Sequence, residues 1–446
     1  MDRTPIANPE RLVPLAFLAA IAAGTLLLSL PLARAGAPGD GAPFVVALFT
    51  ATSAVCITGL TAVDTGSYWS PFGQVVILLL IQAGGLGIMS GATLLGMLIS
   101  RRISLARRMA AQAELRSLQL GDVTAVVKLI LAMTLAVEAA LFAWLTLVFH
   151  FDHGEPWALA AWHGLFHAVS AFNNGGFTVF PDGIARFRAD GLVLLPLMLG
   201  VVIGGIGFPV VHELRTCWRR PKAWSIHTKL TLLGTLLLLL LGFVVTLAFE
   251  WSNPATLGPE PAPVKLLGAA FHSAMTRSGG FAVHDTGSMN DDTILFTYAL
   301  MLIGGGSAGT AGGIKVTTFL LLGFVVWAEI RGTADTNAFG RRICPDTQRQ
   351  ALAIVLLAVG IVGLASALLV SISGLPMRDA LFETISAFAT VGLSTGVTAD
   401  IPPAGQLLLV LLMFTGRVGS ITIAAALALR VRSVPIRYPE ERPIVG

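Results

Sequence analysis

Four short segments hold the residues whose types and spacing could do chemistry. They read Ser53-Ala-Val-Cys-Ile-Thr-Gly59-Leu-Thr, Ser170-Ala-Phe-Asn-Asn-Gly-Gly176-Phe-Thr, Ser273-Ala-Met-Thr-Arg-Ser-Gly-Gly280-Phe-Ala and Ser386-Ala-Phe-Ala-Thr-Val-Gly392-Leu-Ser. Ser-Ala opens each one, and glycine followed by Leu or Phe closes each one. The gap from serine to closing glycine is six residues in three copies and seven in the third. Glycine reaches backbone angles that other residues avoid, so such turns can aim carbonyl oxygens at a common axis. A ring of carbonyls can replace the hydration shell of an alkali cation. No acidic residue lies between serine and closing glycine in any turn. The carboxylate ring of a calcium or unselective cation pore is therefore missing. Thr390-Val391-Gly392 also matches the start of the potassium-channel filter sequence, a weak signal alone and a strong one when four turns repeat it.

A second constellation is Gly304-Gly-Gly-Ser-Ala-Gly-Thr-Ala-Gly-Gly313, followed by Ile314 and Lys315. Glycine costs about 1 kcal/mol per residue in a helix relative to alanine, so Gly304, Gly305, Gly306, Gly309, Gly312 and Gly313 should unwind the segment. Unwound backbone at membrane depth must line a wet cavity or be buried in protein. A movable gate below the carbonyl ring is the expected role; a packing kink is the plainer one. A phosphate loop is excluded, because that motif needs Gly-Lys-Ser/Thr and here Ile314 separates Gly313 from Lys315. Arg417 lies within an apolar run, where an ionisable residue signals function. It could act as an electrostatic barrier, hold the glycine loop through its carbonyls, or pair with an acid such as Glu383. His163 and His167 share a helix face without a third ligand and are read as polar contacts. Glu138 should be paired. The glycine runs at 85–87 and 205–207 fit close helix packing.

The elements that must position these residues are membrane helices. Of the 446 residues 55% are apolar and 12% charged, against about 25% charged in a soluble domain. That excludes a soluble globular protein and a disordered one. Cys56, Cys217 and Cys344 make no disulfide framework or zinc pair. Apolar stretches near the ~20-residue span length run over 11–33, 73–100, 122–150, 190–214, 228–250, 293–329, 348–374 and 404–430. Shorter apolar segments at 43–56, 158–172, 264–276 and 377–389 precede the four turns and suit re-entrant half-helices.

The expected fold is thus an all-α polytopic membrane protein. Four pseudo-symmetric repeats of span, pore half-helix, filter loop and span would surround one central pore. The repeats occupy 11–100, 122–214, 228–329 and 348–430, and 431–446 is a C-terminal tail. Arginines and lysines gather in alternate loops: Arg101, Arg102, Arg107, Arg108 and Arg116; Arg215, Arg219, Arg220, Lys222 and Lys229; Arg331, Arg341, Arg342 and Arg349; Arg430, Arg432, Arg437 and Arg442. The positive-inside rule puts these loops and both termini in the cytoplasm of a cell-membrane protein.

On these four turns, with Thr-Gly-Leu at 58–60, Asn-Asn-Gly-Gly-Phe at 173–177, Thr-Arg-Ser-Gly-Gly-Phe at 276–281 and Thr-Val-Gly-Leu-Ser-Thr-Gly at 390–396, the chain resembles the KtrB branch of the TrkH/TrkG/KtrB/HKT potassium transporters. The resemblance spans nearly the whole chain. It implies a selectivity ring around Gly59, Gly176, Gly280 and Gly392, lined by the carbonyls of Ile57, Thr58, Asn174, Gly175, Ser278, Gly279, Thr390 and Val391. It departs at Gly175 and Gly279, where the family often has alanine. It also implies an intramembrane gating loop at 304–313, a pore-facing Arg417, a homodimer, and a cytoplasmic RCK-type ring of nucleotide-binding regulatory subunits (KtrA/TrkA-like). Potassium is the implied cargo, sodium a companion ion left open, and no organic cofactor or nucleic acid is called for. The alternatives are a secondary transporter of another small solute with a broken-helix site, a membrane enzyme and a non-conducting scaffold. No nucleophile, base and orienter set supports the enzyme.

Overall fold

A computed structural model describes residues 9–36, 39–102 and 123–429. Arg107, Arg108, Arg116, Arg430, Arg432, Arg437, Arg442 and the tail at 431–446 lie outside the described residues. Among the described residues the architecture is helical, with one small exception. Asn337–Ala338 and Arg341–Arg342 pair as a two-stranded antiparallel ribbon between the third and fourth groups of helices.

Pro71–Gly91, Val126–Phe151, Ile226–Glu250 and Pro345–Ser373 are long and apolar enough to cross a membrane. Four half-helices lie between the long elements: Phe44–Val55, Trp157–Phe172, Ala262–Met275 and Met377–Ala389. Their 12, 16, 14 and 13 residues reach about 18–24 Å at ~1.5 Å per residue, short of a ~30 Å hydrocarbon layer. Each begins directly after a proline: Pro43, Pro156, Pro261 and Pro376. Proline's fixed φ is set for helix entry and its missing N–H costs nothing there. It marks a sharp start in all four.

The packing closes on itself. Pro71–Arg102 lies against the second half-helix, Gly191–Ile206 against the third, Asp291–Leu302 against the fourth, and Pro403–Leu429 against the first. Each group of helices therefore holds the half-helix of the next, and the last holds the first. The half-helices are buried toward their C-terminal ends, which brings their final carbonyls, the negative ends of the helix dipoles, to the centre.

Two of the eight expected spans are broken, where a single break was expected. The stretch at 293–329 divides into Asp291–Leu302 and Val316–Ile330, with the glycine run between them. The stretch at 190–214 also breaks, at Gly207, into Gly191–Ile206 and Phe208–Cys217, which meet at 96°. The run at 205–207 is thus a bend rather than a stretch of packed helix. Gly207 has φ +92°, which a side chain would resist, and Pro209 follows at the start of the new helix. The segment Phe208–Cys217 is anchored by Glu213, whose carboxylate accepts from Ser225 N (2.7 Å), Ser225 Oγ and Thr228 Oγ1 at the start of the next span.

Candidate functional site

The four turns meet in one ring. A Cβ added to Gly59 would lie 2.6 Å from Gly175 O, and one on Gly176 would lie 2.9 Å from Gly280 Cα and 3.2 Å from Gly279 O. One on Gly280 would lie 2.8 Å from Val391 O, and one on Gly392 would collide with Thr58 O. The cycle runs from first to second, third and fourth turns and back to the first. Each closing glycine faces the carbonyl of the residue before the next closing glycine.

Backbone geometry repeats with it. Ile57, Asn174, Ser278 and Thr390 have φ of 56°, 59°, 70° and 49°. Gly59, Gly176, Gly280 and Gly392 have φ of 86°, 68°, 74° and 94°. Positive φ at β-branched Ile57 and Thr390 is strained, at about 1–3 kcal/mol each, and such strain gathers at functional sites. The middle residue is tied back to its half-helix: Thr58 N, Gly175 N and Val391 N donate to the carbonyls of Ser53, Ser170 and Ser386. In the third turn the extra residue shifts this bond, and Gly279 N donates to Met275 O. The extra residue is absorbed before the ring, so Ser278-Gly279-Gly280 keeps the shape of the others.

Side chains brace the turns from behind. Asn173 Nδ2 donates to Gln82 Oε1 (3.0 Å) and Glu138 Oε1 (2.9 Å), while Gln82 Nε2 donates to Glu138 Oε2 (3.2 Å). The acid inside the span is therefore partnered, by amides. Glu383 Oε1 accepts from Ser394 Oγ (2.6 Å) and Thr395 N (3.2 Å), and its Oε2 from Thr398 Oγ1 (2.8 Å). His167 Nε2 bonds Thr178 Oγ1 at 2.9 Å. Both pins run from three residues before the turn's serine to two residues after its closing glycine. His163 contacts Glu155 at 2.7 Å, so His163 and His167 make the polar contacts read from sequence, and His272 contacts Thr297 at 3.2 Å.

The glycine run forms a strap packed on three of the turns. Gly304 N donates to Ile314 O and Ile314 N to Leu302 O, pinching its two ends together. Thr310 Oγ1 donates to Asn174 Oδ1 (2.9 Å), and Gly312 N to Ser278 Oγ (3.0 Å), which in turn donates to Thr390 O (2.6 Å). The bend in the second group cradles the strap: Gly306 N donates to Gly205 O and Thr310 N to Gly204 O. Lys315 Nζ donates to Ala311 O at 2.7 Å. Arg417 is buried and lies near Lys315 and the neutral thiol of Cys56. Of the twelve ring residues, seven strap residues and Arg417 expected from sequence, the structure brings the ring set together and lays Gly304–Lys315 against it, with Arg417 alongside. Gly207, Gln82 and Arg277 were not anticipated. Arg277 alone carried a signal, as the extra residue of the third turn.

The model of the TrkH family, described as a cation transport protein, matches residues 24–433. The chain is 38% identical over 439 residues to the Ktr system potassium uptake protein B of Bacillus subtilis, covering 98% of this chain and 97% of that one. It is 36% identical over 437 residues to the Ktr system potassium uptake protein B of Vibrio alginolyticus, covering 98% and 94%. Its fold is similar to the crystal structure of the potassium transporter TrkH from Vibrio parahaemolyticus, with a TM-score of 0.71, 18% identity, and coverage of 96% of this chain and 86% of that one. With this breadth of match, and four turns closing on one ring, the chain belongs to the TrkH family of cation transport proteins.

Proposed function

We propose that this chain is the potassium-translocating subunit of an uptake system in the cell (inner) membrane, with both termini cytoplasmic. The four repeats at 11–100, 122–214, 228–329 and 348–430 surround one pore. The observation that carries the reading is the closed ring of Gly59, Gly176, Gly280 and Gly392 with a carbonyl of the next turn facing each. Peptide oxygens there replace a cation's hydration shell. The C-terminal ends of four half-helices add a field that favours positive charge. Both relatives are named for potassium uptake, which fits this cargo.

The strap is the gate. It lies against Asn174, Ser278 and Thr390, the first ring positions of three turns. Arg417 puts fixed positive charge beside it, which opposes a cation until the strap moves, while Lys315 is tied to the strap through Ala311 O. The relatives' names describe one component of a system, which fits a further subunit; the homodimer and the cytoplasmic RCK-type nucleotide-binding ring follow from the resemblance at the four turns. The second broken span does not favour a solute site, because the strap and the bend at Gly207 fill one another.

The test is rescue of a potassium-uptake-deficient bacterium on low potassium, with the regulatory partner supplied. Wild type should restore growth, and Gly392→Ser should lose the preference for potassium over sodium. No rescue by wild type, or equal preference in both, overturns the proposal.

A further inference from the structure

The third turn differs from the other three by one residue, and that residue reaches the strap. Arg277 is 6% exposed. Its Nη2 donates to Gly304 O at 2.8 Å, where the strap leaves the helix Asp291–Leu302. Its Nη1 donates to Thr235 O at 3.1 Å, in the middle of the unbroken span Ile226–Glu250. No carboxylate pairs with it among the described residues. A buried guanidinium held only by peptide oxygens depends on each of them, since hydrogen bonds to charged groups are the strong ones. The adjacent Ser278 holds the far end of the strap through Gly312 N and reaches Thr390 O in the fourth turn. Neighbouring residues of one turn thus grip both ends of the same loop.

The other side of Arg277 opens on a cavity of about 20 Å³ that also borders Gly205, Thr235, Leu239 and Gly305. Arg277 Nε and Thr235 Oγ1 are both buried and have no hydrogen-bond partner there. A space of this size takes a water molecule, which needs roughly 10–15 Å³. Thr235 Oγ1 borders the same space and is an acceptor that no other described group uses.

We propose that Arg277 is a latch: a positioning residue that holds the strap closed through Gly304 and ties its release to the third turn of the ring. This rests on the reading of the strap as the gate. In the closed state Arg277 bridges Gly304 to the fixed span. Opening transfers that bond to Thr235 Oγ1 and water in the adjoining cavity.

The experiment compares wild type, Arg277→Met, Arg277→Lys and a variant lacking Ser307–Ala311, each full-length in lipid vesicles without regulatory subunits. Potassium flux and the potassium-to-sodium ratio are both read. Deleting Ser307–Ala311 should raise basal flux, which tests the gate itself. Arg277→Met should raise basal flux about tenfold or more with the ion ratio unchanged. Arg277→Lys keeps the charge but reaches fewer carbonyls, and should fall between. A rise on deletion with none from either Arg277 variant overturns the latch and leaves the gate standing. No rise on deletion removes the gate, and the latch with it. A rise in Arg277→Met with a flattened ion ratio also overturns the latch, because it assigns Arg277 to the ring. Should Arg277→Met not fold, Arg277→Lys decides alone.

Discussion

Gly59, Gly176, Gly280 and Gly392 all sit at positive φ, whereas of Gly304, Gly305, Gly306, Gly309, Gly312 and Gly313 only Gly313 does. The ring glycines are required twice, by their backbone angle and by the approach of the next turn. Most strap glycines are required once, by approach alone. A Cβ on Gly305 would meet Gly205 O, one on Gly309 would lie 2.7 Å from Gly205 O, and one on Gly312 would lie 2.5 Å from Ala389 O. The ring is also cyclic, each turn answering to two neighbours of its own kind. Among the described residues the strap occurs in one group of helices only, and it is held by hydrogen bonds that another conformation could exchange. The molecule thus sets a fourfold element fixed by backbone angle and approach against a single element fixed by approach and hydrogen bonds.

Substitutions should separate the two. Gly392→Ser should have the largest effect: a side chain at φ +94° that also meets Thr58 O. Potassium-over-sodium preference should fall tenfold or more, measured by competitive uptake. Gly312→Ala should rank below it. Its Cβ would collide with Ala389 O and with Thr390 Oγ1 at the edge of the ring, so uptake rate should change several-fold while ion preference falls less than at Gly392. A loss of preference at Gly312 as great as at Gly392 would erase the distinction. Thr178→Val should be smallest. It removes the partner of His167 Nε2 at a cost of about 1–3 kcal/mol, seen as a lower melting temperature with ion preference retained.

The ring was legible in sequence because its signature is local. Serine and glycine sit six or seven residues apart, and four copies corroborate one another. The strap was legible because six glycines in ten positions cannot hold a helix. The bend at Gly207 was not, because one more glycine in an apolar run also suits tight packing. What distinguishes the two is the strap itself, about a hundred residues further along the chain and donating to Gly204 O and Gly205 O. The bracing of Asn173 by Gln82 and Glu138 was hidden likewise, since those partners lie 91 and 35 residues away. The prolines at 43, 156, 261 and 376 were a legible signal of half-helix starts and would have fixed those boundaries to the residue. Arg277 shows the converse, where a break in a repeat's spacing carried as much information as the repeat.

The most direct measurement is a crystal structure of the protein grown with thallium(I), a heavy potassium mimic, and located by its anomalous scattering. A peak should lie on the axis of the ring, bounded by the carbonyl oxygens of Thr58, Gly175, Gly279 and Val391, and disappear when sodium replaces thallium. A peak bounded by carboxylates or hydroxyls away from the ring, with none on its axis, would contradict it.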